Sequence, residues 1–422
     1  MKEYKLIRNG NVATKDGIRR CDVLLRGDRI ERVEEHIECA DAEIIDASGK
    51  LVTYSFADVH VHFREPGRPD KETILTGSQA AAKGGYGCVC PMPNLDPAPD
   101  TVEHIEEELS IIRRDAVIDV RPYATITLGR KGIEAVDVKA LKPLCAGFSD
   151  DGSGVQDEDV MRGAMRLVAA EKGILAAHCE DNTLLRGGYI HDGEYAAAHG
   201  HKGICSESEW GQIARDVRLA AETGCAYHVC HISTKESVEI IRKAKAAGVD
   251  VTCETGPHYL TLCDADLQEE GRFKMNPPLR SAEDRDALIE GILDGTVDMI
   301  ATDHAPHTAE EKSRGLQGSA MGITGLETAF PVIYTKLVRT GIVSIERVLE
   351  LMCTAPRKRF ALGGGVIEAG ARADIAIFDL DTPYRIDSAT FLSKGHATPF
   401  DGWEVYGRCV LNIFKGKTVY KF

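Results

Sequence analysis

The feature that most constrains this fold is a regular alternation, between residues 55 and 358, of short apolar runs with longer segments of helical period. Eight of these runs have the length and composition of buried strands, and they begin on average about 34 residues apart. A continuous series of eight strand–helix units predicts an α/β fold, a closed (β/α)8 barrel of the TIM type rather than an open sheet. The predicted strands are Phe56–His60, Gly87–Cys90, Val120–Ile126, Cys145–Phe148, Ile174–Ala177, Ala226–Cys230, Asp250–Cys253 and Val297–Ala301.

The two ends of the chain differ from the middle. Residues 1–52 consist of short apolar runs separated by turn signals such as Asn9-Gly10, and strand-like runs return at Ile375–Phe378 and Val410–Phe414. Each end is too short to form a stable domain on its own. We therefore expect residues 1–52 and 363–422 to form one composite β-sandwich domain, and residues 53–362 to form the catalytic barrel.

Charge and cysteine content exclude several classes of protein. The 51 basic and 66 acidic residues leave a formal net charge of −15, which disfavours binding to nucleic acid or to anionic lipid. The sequence contains neither a secretory signal nor an apolar stretch of transmembrane length. Its 13 cysteines are scattered and odd in number, which is typical of reduced packing residues. We expect a cytoplasmic protein that does not bind membranes.

Polar residues that follow the predicted strands carry the chemistry, because barrels of this class place their active sites at the carboxyl ends of the strands. Four histidines and at least two carboxylates are predicted to meet there although they lie up to 243 positions apart. They are His60 and His62 after the first strand, Asp151 after the fourth, His178 after the fifth, His231 after the sixth and Asp303 after the eighth.

The histidine positions favour two metal sites. His60 and His62 are two residues apart on a strand, so both side chains point to the same side and can bind one metal; His-x-His alone also fits two polar strand residues. His178 and His231 end neighbouring strands and look like ligands of a second metal, although each alone also fits a core or rim histidine.

The two carboxylates have competing interpretations. Asp303 could complete the first site or cap the following helix. Asp151 is the best candidate for the anionic bridge that two close metals require, or it is a turn residue of Asp150-Asp151-Gly152. Histidine and carboxylate ligands favour zinc, while manganese or cobalt would also fit.

Across essentially its whole length the chain resembles the dihydroorotases of the amidohydrolase superfamily. The segment from Asp58 to Gly67, with its Arg64 and Pro66-Gly67, is similar to the signature of that family. Asp151 is similar to the bridging aspartate of the class I branch. Hydantoinases, allantoinases and other dihydroorotases have a carbamylated lysine there, and the nearest preceding lysine in this chain is Lys142. The further matching segments are residues 91–94, 148–152, 178–181, 229–233, 274–280 and 302–307. The sequence departs from the family pattern at Tyr54-Ser55 and at Leu95, and neither departure removes a ligand.

The resemblance implies reversible cyclisation of N-carbamoyl-L-aspartate to L-dihydroorotate, a step of de novo pyrimidine biosynthesis, with two divalent metal ions as cofactors. It implies His60, His62 and Asp303 at the first metal, His178 and His231 at the second, Asp151 between them, and Asp303 as the catalytic acid/base. The substrate-binding residues that it implies are His62, Arg64, Asn94, Asn276, His307, Met321 and Gly322. Without the resemblance, Arg64 also fits an ordinary ion pair at the barrel rim.

Several alternatives stay open at this point. The chain could be another cyclic amidohydrolase, hydantoinase-like or allantoinase-like, or a silent subunit that serves as a scaffold for aspartate transcarbamoylase. We expect a homodimer, with association with aspartate transcarbamoylase as a further possibility. The glycine-rich segment 308–325 is either a lid or a long loop, and His258 is expected to be a loop-packing residue.

Overall fold

The barrel closes through parallel pairing of neighbouring strands. A computed structural model describes residues 4–422. Within that range, seven barrel strands have regular bounds, and the fourth is reduced to Phe148, which bridges Ala124 on one side and Leu175 on the other. The bridge between Val61 and His304 joins the eighth strand to the first, so the sheet closes on itself. The regular barrel strands are Phe56–Val61, Tyr86–Pro91, Asp119–Val120, Ile174–Ala177, Ala226–Val229, Val251–Thr255 and Met299–Ile300.

The barrel prediction is confirmed, although the third, fourth and eighth strands are shorter than expected. The third strand was expected over 120–126, but the regular strand is only Asp119–Val120; beyond it, Arg121 N and Tyr123 N still donate to the carbonyls of Val89 and Pro91, and Ala124 forms a bridge to Phe148. Pro122 has no N–H to donate on the side that faces the fourth strand, where its carbonyl accepts from Ala146 N, and this weakens the pairing between those two strands.

Helices follow the strands and pack around the barrel. Most of the long helices begin at a threonine, serine or aspartate whose side-chain oxygen accepts a hydrogen bond from the first turn, as at Thr73, Asp157 and Ser281. The α-helices are Ile74–Lys83, Val102–Asp115, Val138–Leu141, Glu158–Ala170, Glu194–His199, Glu207–Thr223, Lys235–Ala246, Pro257–Thr261, Ala282–Asp294, Ala309–Lys312, Gly315–Gly318, Ala329–Ile333, Ile345–Leu349 and Ala355–Arg359. π-Helical turns at Tyr334–Val338 and Glu350–Thr354 continue two of the last helices.

Strands from both chain ends share a hydrogen-bonded sheet. The N-terminal strand Leu51–Tyr54 pairs antiparallel with the C-terminal strand Ile375–Asp379, which brings the two ends together. The division between this β domain and the barrel at residues 52/53 and 362/363 stays a prediction. Within residues 4–422 the strands of this sheet are Tyr4–Thr14, Gly17–Arg26, Arg29–Glu34, Glu43–Asp46, Leu51–Tyr54, Ile375–Asp379, Arg408–Phe414 and Lys417–Lys421.

Shorter elements complete the fold. Ile190–His191 pairs with Gly203–Ile204 in the long segment after the fifth barrel strand, and Tyr384–Arg385 pairs with Glu404–Val405 near the C-terminus. In the part of the chain that the structure describes, none of the helices combines the length and the apolar character needed to cross a membrane.

Candidate metal centre and substrate pocket

The carboxyl ends of the barrel strands bring the six predicted ligand residues together. All six side chains are buried although they come from five different strand ends, and their polar atoms lie within a few ångströms of one another. They are His60, His62, Asp151, His178, His231 and Asp303.

One half of the centre gathers around the first strand. His62 Nε2 lies 3.0 Å from Asp303 Oδ1, and His60 Nε2 lies 3.5 Å from the same oxygen. Single ligand atoms of His60, His62 and Asp303 all lie within 4.8 Å of one another, which is close enough to share one ion. The spacing of the two histidines on one strand produces this half of the centre directly.

The other half lies between the fifth and sixth strands. His178 Nδ1 and His231 Nε2 are 2.9 Å apart. Asp151 lies between the halves: its Oδ1 is 3.4 Å from His60 Nε2 and 3.6 Å from His231 Nε2, and its Oδ2 is 3.5 Å from His62 Nε2. One carboxylate therefore contacts histidines of both groups.

Unpartnered polar atoms in this cluster fit a bound cation. Within the described residues, His60 Nε2 and Asp151 Oδ1, which face each other at 3.4 Å, are buried and have no hydrogen-bond partner. Buried polar atoms are normally paired, and imidazole nitrogens with carboxylate oxygens are the donor set of divalent transition metals. The cluster is a candidate site for divalent metal ions.

The charges of the cluster depend on each other. Burial acts to raise the pKa of Asp151, but the neighbouring histidines, His60 first, outweigh it and hold that pKa well below its usual range. For Asp303, His62 and His60 likewise overcome burial and lower the carboxyl pKa. Both carboxylates are therefore ionised, as metal ligands must be.

A buried carboxylate beneath the centre orients His60. Glu254, on the seventh strand, lies 2.7 Å from His60 Nδ1 and 3.1 Å from His228 Nε2. Hydrogen bonds from these two histidines overcome burial and lower the pKa of Glu254 to about 2. The carboxylate accepts the N–H of His60 Nδ1, which leaves Nε2 free to face Asp151 and Asp303.

The backbone at the strand ends is held in an unusual conformation. Arg64, His231 and Asp303 have φ of 58°, 31° and 45°, in the left-handed region that non-glycine residues rarely adopt. Such strain persists only where the surroundings enforce it, and it is typical of functional sites.

Arg64 has a guanidinium that lacks an acidic partner. Its Nε is buried without a hydrogen bond, and no carboxylate among residues 4–422 lies within ion-pair distance of its nitrogens. Burial lowers its pKa to about 10, with Asp303 and Asp151 opposing that effect, so it stays charged at neutral pH. Among the described residues, Arg64 therefore does not form the ordinary ion pair at the barrel rim that was the alternative interpretation.

The two asparagines predicted to bind substrate each use one polar side-chain atom in a contact within the protein. Asn94 Oδ1 lies 2.8 Å from His62 Nδ1, so this asparagine orients a candidate ligand. Asn276 Nδ2 donates to Glu180 Oε1 at 2.9 Å, and its buried Oδ1 has no partner in the described part of the chain.

The segment after Asp303 brings three further predicted residues together. His307 Nε2 lies 2.7 Å from the carbonyl oxygen of Met321, and Gly322 N donates to the carbonyl of Lys274 at 3.1 Å. Burial, followed by the charges of Arg64 and Lys71, lowers the pKa of His307 to about 3, so its ring is neutral.

Sequence reasoning missed several residues of this neighbourhood. Glu254 was not singled out, although a glutamate in a buried strand is a recognisable signal. His258 was expected only to pack a loop; it is buried, its Nε2 lacks a partner among the described residues, and burial lowers its pKa to about 4. Lys142, the nearest lysine before Asp151, lies at the opposite end of the barrel, where its side chain faces Gly173.

A barrel whose strand ends converge on buried histidines and carboxylates defines the class of metal-dependent amidohydrolases. Two solved structures that resemble this chain, both hydantoinases, support this class. An L-hydantoinase (dihydropyrimidinase) from Arthrobacter aurescens matches with a TM-score of 0.88 at 27% identity, covering 99% of this chain and 96% of that one. A D-hydantoinase (dihydropyrimidinase) from Thermus sp. matches with a TM-score of 0.86 at 25% identity, covering 99% and 95%.

Sequence comparisons narrow the class to a family. The family model described as "Dihydro-orotase-like" matches residues 49–237. Proteins named dihydroorotase from Bacillus cereus (strain AH820) and Bacillus cytotoxicus are each 48% identical over 419 residues, covering 99% of this chain and 98% of theirs. The chain belongs to the dihydroorotase family.

Proposed function

We propose that this protein is a dihydroorotase, which interconverts N-carbamoyl-L-aspartate and L-dihydroorotate. The observation that carries the proposal is the guanidinium of Arg64 beside the histidine–carboxylate cluster, which has no acidic partner among the described residues and whose buried Nε has no hydrogen bond. A planar guanidinium is suited to bidentate binding of a carboxylate. Dihydroorotate differs from simpler cyclic ureides by carrying such a carboxylate on its ring.

Two divalent ions, zinc first, are the proposed cofactors. His60, His62 and Asp303 would hold one ion, His178 and His231 the other, and Asp151 would contact both. When bound, such ions supply Lewis acidity toward a carbonyl oxygen and lower the pKa of water. A donor set that consists only of histidine nitrogens and carboxylate oxygens supports zinc, with cobalt and manganese as alternatives.

Asp303 is the proposed proton carrier. In cyclisation a C–N bond forms between the ureido nitrogen and the side-chain carboxylate carbon, and one carboxylate oxygen leaves as water. That water takes one proton from the nitrogen and one from solution. The carboxylate of Asp303 is buried and ionised, so it can accept the nitrogen's proton and pass it to the departing oxygen. The reverse path runs through the same groups.

The remaining proposed contacts divide between the substrate's carboxylate and its ring. Arg64 would bind the free carboxylate, with Asn94 and His307 donating further hydrogen bonds and His62 lining the same space. The unpartnered Oδ1 of Asn276 can accept a ring N–H. The backbone of Met321 and Gly322 would complete the contacts to the ring amides.

Substrate comparison tests the function against the nearest alternative. Metal-loaded protein should hydrolyse dihydroorotate with far higher kcat/KM than 5,6-dihydrouracil, the same ring without the carboxylate. Arg64→Met should reduce that preference about 100-fold or more, since charge-assisted hydrogen bonds contribute about 1.5–3 kcal/mol each. Arg113→Met, at an exposed arginine, is the control. Faster turnover of dihydrouracil, hydantoin or allantoin than of dihydroorotate would assign the chain to another cyclic amidohydrolase.

Measurement of metal content tests the cofactors and the silent-scaffold alternative together. We expect about two ions per chain and turnover in both directions. A protein without bound metal and without turnover would instead support a scaffold for aspartate transcarbamoylase. A homodimer, association with aspartate transcarbamoylase and a cytoplasmic location stay predictions, which sedimentation, co-purification and localisation would test.

A further inference from the structure

Lys71 lies between two groups of the segment that follows Asp303. It comes from the loop after the first barrel strand, and its side chain is 11% exposed. Its Nζ lies 3.0 Å from His307 Nδ1 and 2.9 Å from Glu311 Oε1. Neither the family motifs nor the proposed chemistry uses this lysine.

Two groups face Nδ1 of His307: the Lys71 ammonium at 3.0 Å and, farther away, Glu311 Oε2 at 3.6 Å, and the closer lysine favours a bare Nδ1. A lysine ammonium has three donors and no acceptor, so His307 Nδ1 must accept the hydrogen bond through its lone pair. The proton of the neutral ring then resides on Nε2. The 2.7 Å contact of Nε2 with the Met321 carbonyl agrees, because a carbonyl oxygen can only accept.

Glu311 holds the lysine in place. One carboxylate oxygen pairs with Lys71, and the other accepts hydrogen bonds from the backbone N–H and the hydroxyl of Thr308, both at 3.1 Å. Thr308 in turn caps the helix Ala309–Lys312. The ammonium is therefore fixed by a carboxylate that is itself fixed at a helix start.

We propose that Lys71 is a positioning residue that holds His307 as the neutral Nε2–H tautomer, so that the one ring N–H, which bonds the Met321 carbonyl, is shared with the free carboxylate of the substrate in a three-centre hydrogen bond. The proposal rests on the function proposed above. With the proton on Nδ1, a bare Nε2 lone pair would face both the Met321 carbonyl and the incoming carboxylate, and both contacts would be repulsive. Arg64 and Lys71 are the cations that act on the His307 ring from the strand-one loop, and Lys312 acts from its own segment.

Nitrogen NMR reads the tautomer directly. In protein labelled with 15N-histidine, with His307 assigned by its loss in His307→Gln, we expect a protonated Nε2 and a bare Nδ1 in the free protein. Lys71→Met should shift His307 toward a mixture of tautomers, and Lys71→Arg, which keeps a donor, should restore the original pattern. Lys139→Met, at an exposed lysine, is the control.

Kinetics supply the second readout. Because the free carboxylate is held alike in ground and transition states, Lys71→Met should raise KM for dihydroorotate about tenfold or more with kcat nearly unchanged, and Lys71→Arg should recover most of it. If His307 keeps the same tautomer in Lys71→Met, the proposal is overturned, whether or not KM rises. A raised KM together with an unchanged tautomer would mean that Lys71 contacts the substrate directly. Wild-type protein that shows the expected tautomers but no dihydroorotate turnover would refute the proposed function instead.

Discussion

Single atoms at the strand ends carry most of the chemistry of this protein. His60 has one ring nitrogen bound to Glu254 and the other left without a partner in the described residues, facing Asp151 and Asp303. Sequence reasoning identified His60 from its strand and its neighbour His62, because spacing on a strand determines side-chain direction. It did not find Glu254, because only the closed barrel brings the seventh strand under the first.

Asp303→Asn is the sharpest test at this scale. An amide oxygen can still contact a cation, but the side chain can no longer accept and return a proton, so turnover should fall about 100-fold to 10,000-fold. Metal content, measured by elemental analysis of the same samples, should stay close to that of the wild type. Near-normal turnover would contradict the role of Asp303 as proton carrier, while loss of both ions would show that the residue is chiefly a ligand.

At the level of elements, the segment from Thr308 to Gly325 has more structure than the sequence indicated. Glycine content allowed either a lid or a long loop. The segment contains two short helices, and a buried lysine ties it to the rest of the protein: Lys312 Nζ donates to the carbonyls of Lys274, Ala320 and Gly322 at 3.0, 2.8 and 2.7 Å. Whether it opens and closes as a lid stays a prediction.

Removal of this tie should loosen the segment. Lys312→Met fills a similar volume, but it leaves the carbonyl of Lys274, outside the segment, and those of Ala320 and Gly322, inside it, without their shared donor. Each unsatisfied buried group costs about 1–3 kcal/mol. We expect faster hydrogen–deuterium exchange across residues 308–325 and a higher KM for dihydroorotate. Lys243→Met, at a lysine with 73% side-chain exposure, should change neither quantity. Equal exchange in both variants would mean that the lysine does not restrain the segment.

For the whole molecule, the two chain ends and the barrel meet at a buried asparagine. Asn412 Nδ2 donates to the carbonyls of Ala82 and Tyr86 at 2.9 and 2.8 Å, and its Oδ1 accepts from the Ser55 hydroxyl at 3.0 Å. Asn412, on a C-terminal strand, is thus hydrogen-bonded to three parts of the barrel: the first helix at Ala82, the second strand at Tyr86, and Ser55 just before the first strand.

Asn412→Ala should therefore destabilise the entire protein. The substitution removes three buried hydrogen bonds and leaves a small cavity, so we expect the free energy of unfolding to fall by about 2–4 kcal/mol, measured by chemical denaturation. Asn11→Ala, at an exposed position of the same sheet, should change it by less than about 0.5 kcal/mol. A loss as small as that of the control would mean that the junction is not a stabilising contact.

Acid should destabilise the fold partly through His191. Burial, then the charge of Arg280, lowers its pKa from the ordinary 6.5 to about 4. As pH falls from about 6.5 to about 4, the unfolded chain binds a proton there that the folded protein does not, so stability falls by up to about 1.4 kcal/mol per pH unit from this group. His191→Gln should flatten the slope of unfolding free energy against pH in that window. Parallel slopes would show that His191 does not contribute.

Sequence alone predicted the barrel, the strands at both chain ends and the six residues that follow barrel strands, because strand periodicity and strand ends are local properties of the chain; the pairing of Leu51–Tyr54 with Ile375–Asp379 is a tertiary contact. Tertiary structure decided which atoms of those residues are left unpaired, since that depends on partners such as Glu254, Lys71 and Lys312 from distant segments. It also decided that Arg64 lacks an acidic partner within residues 4–422. Residue type predicts what a side chain can bind, but burial and long-range contacts decide which of its polar groups remain available.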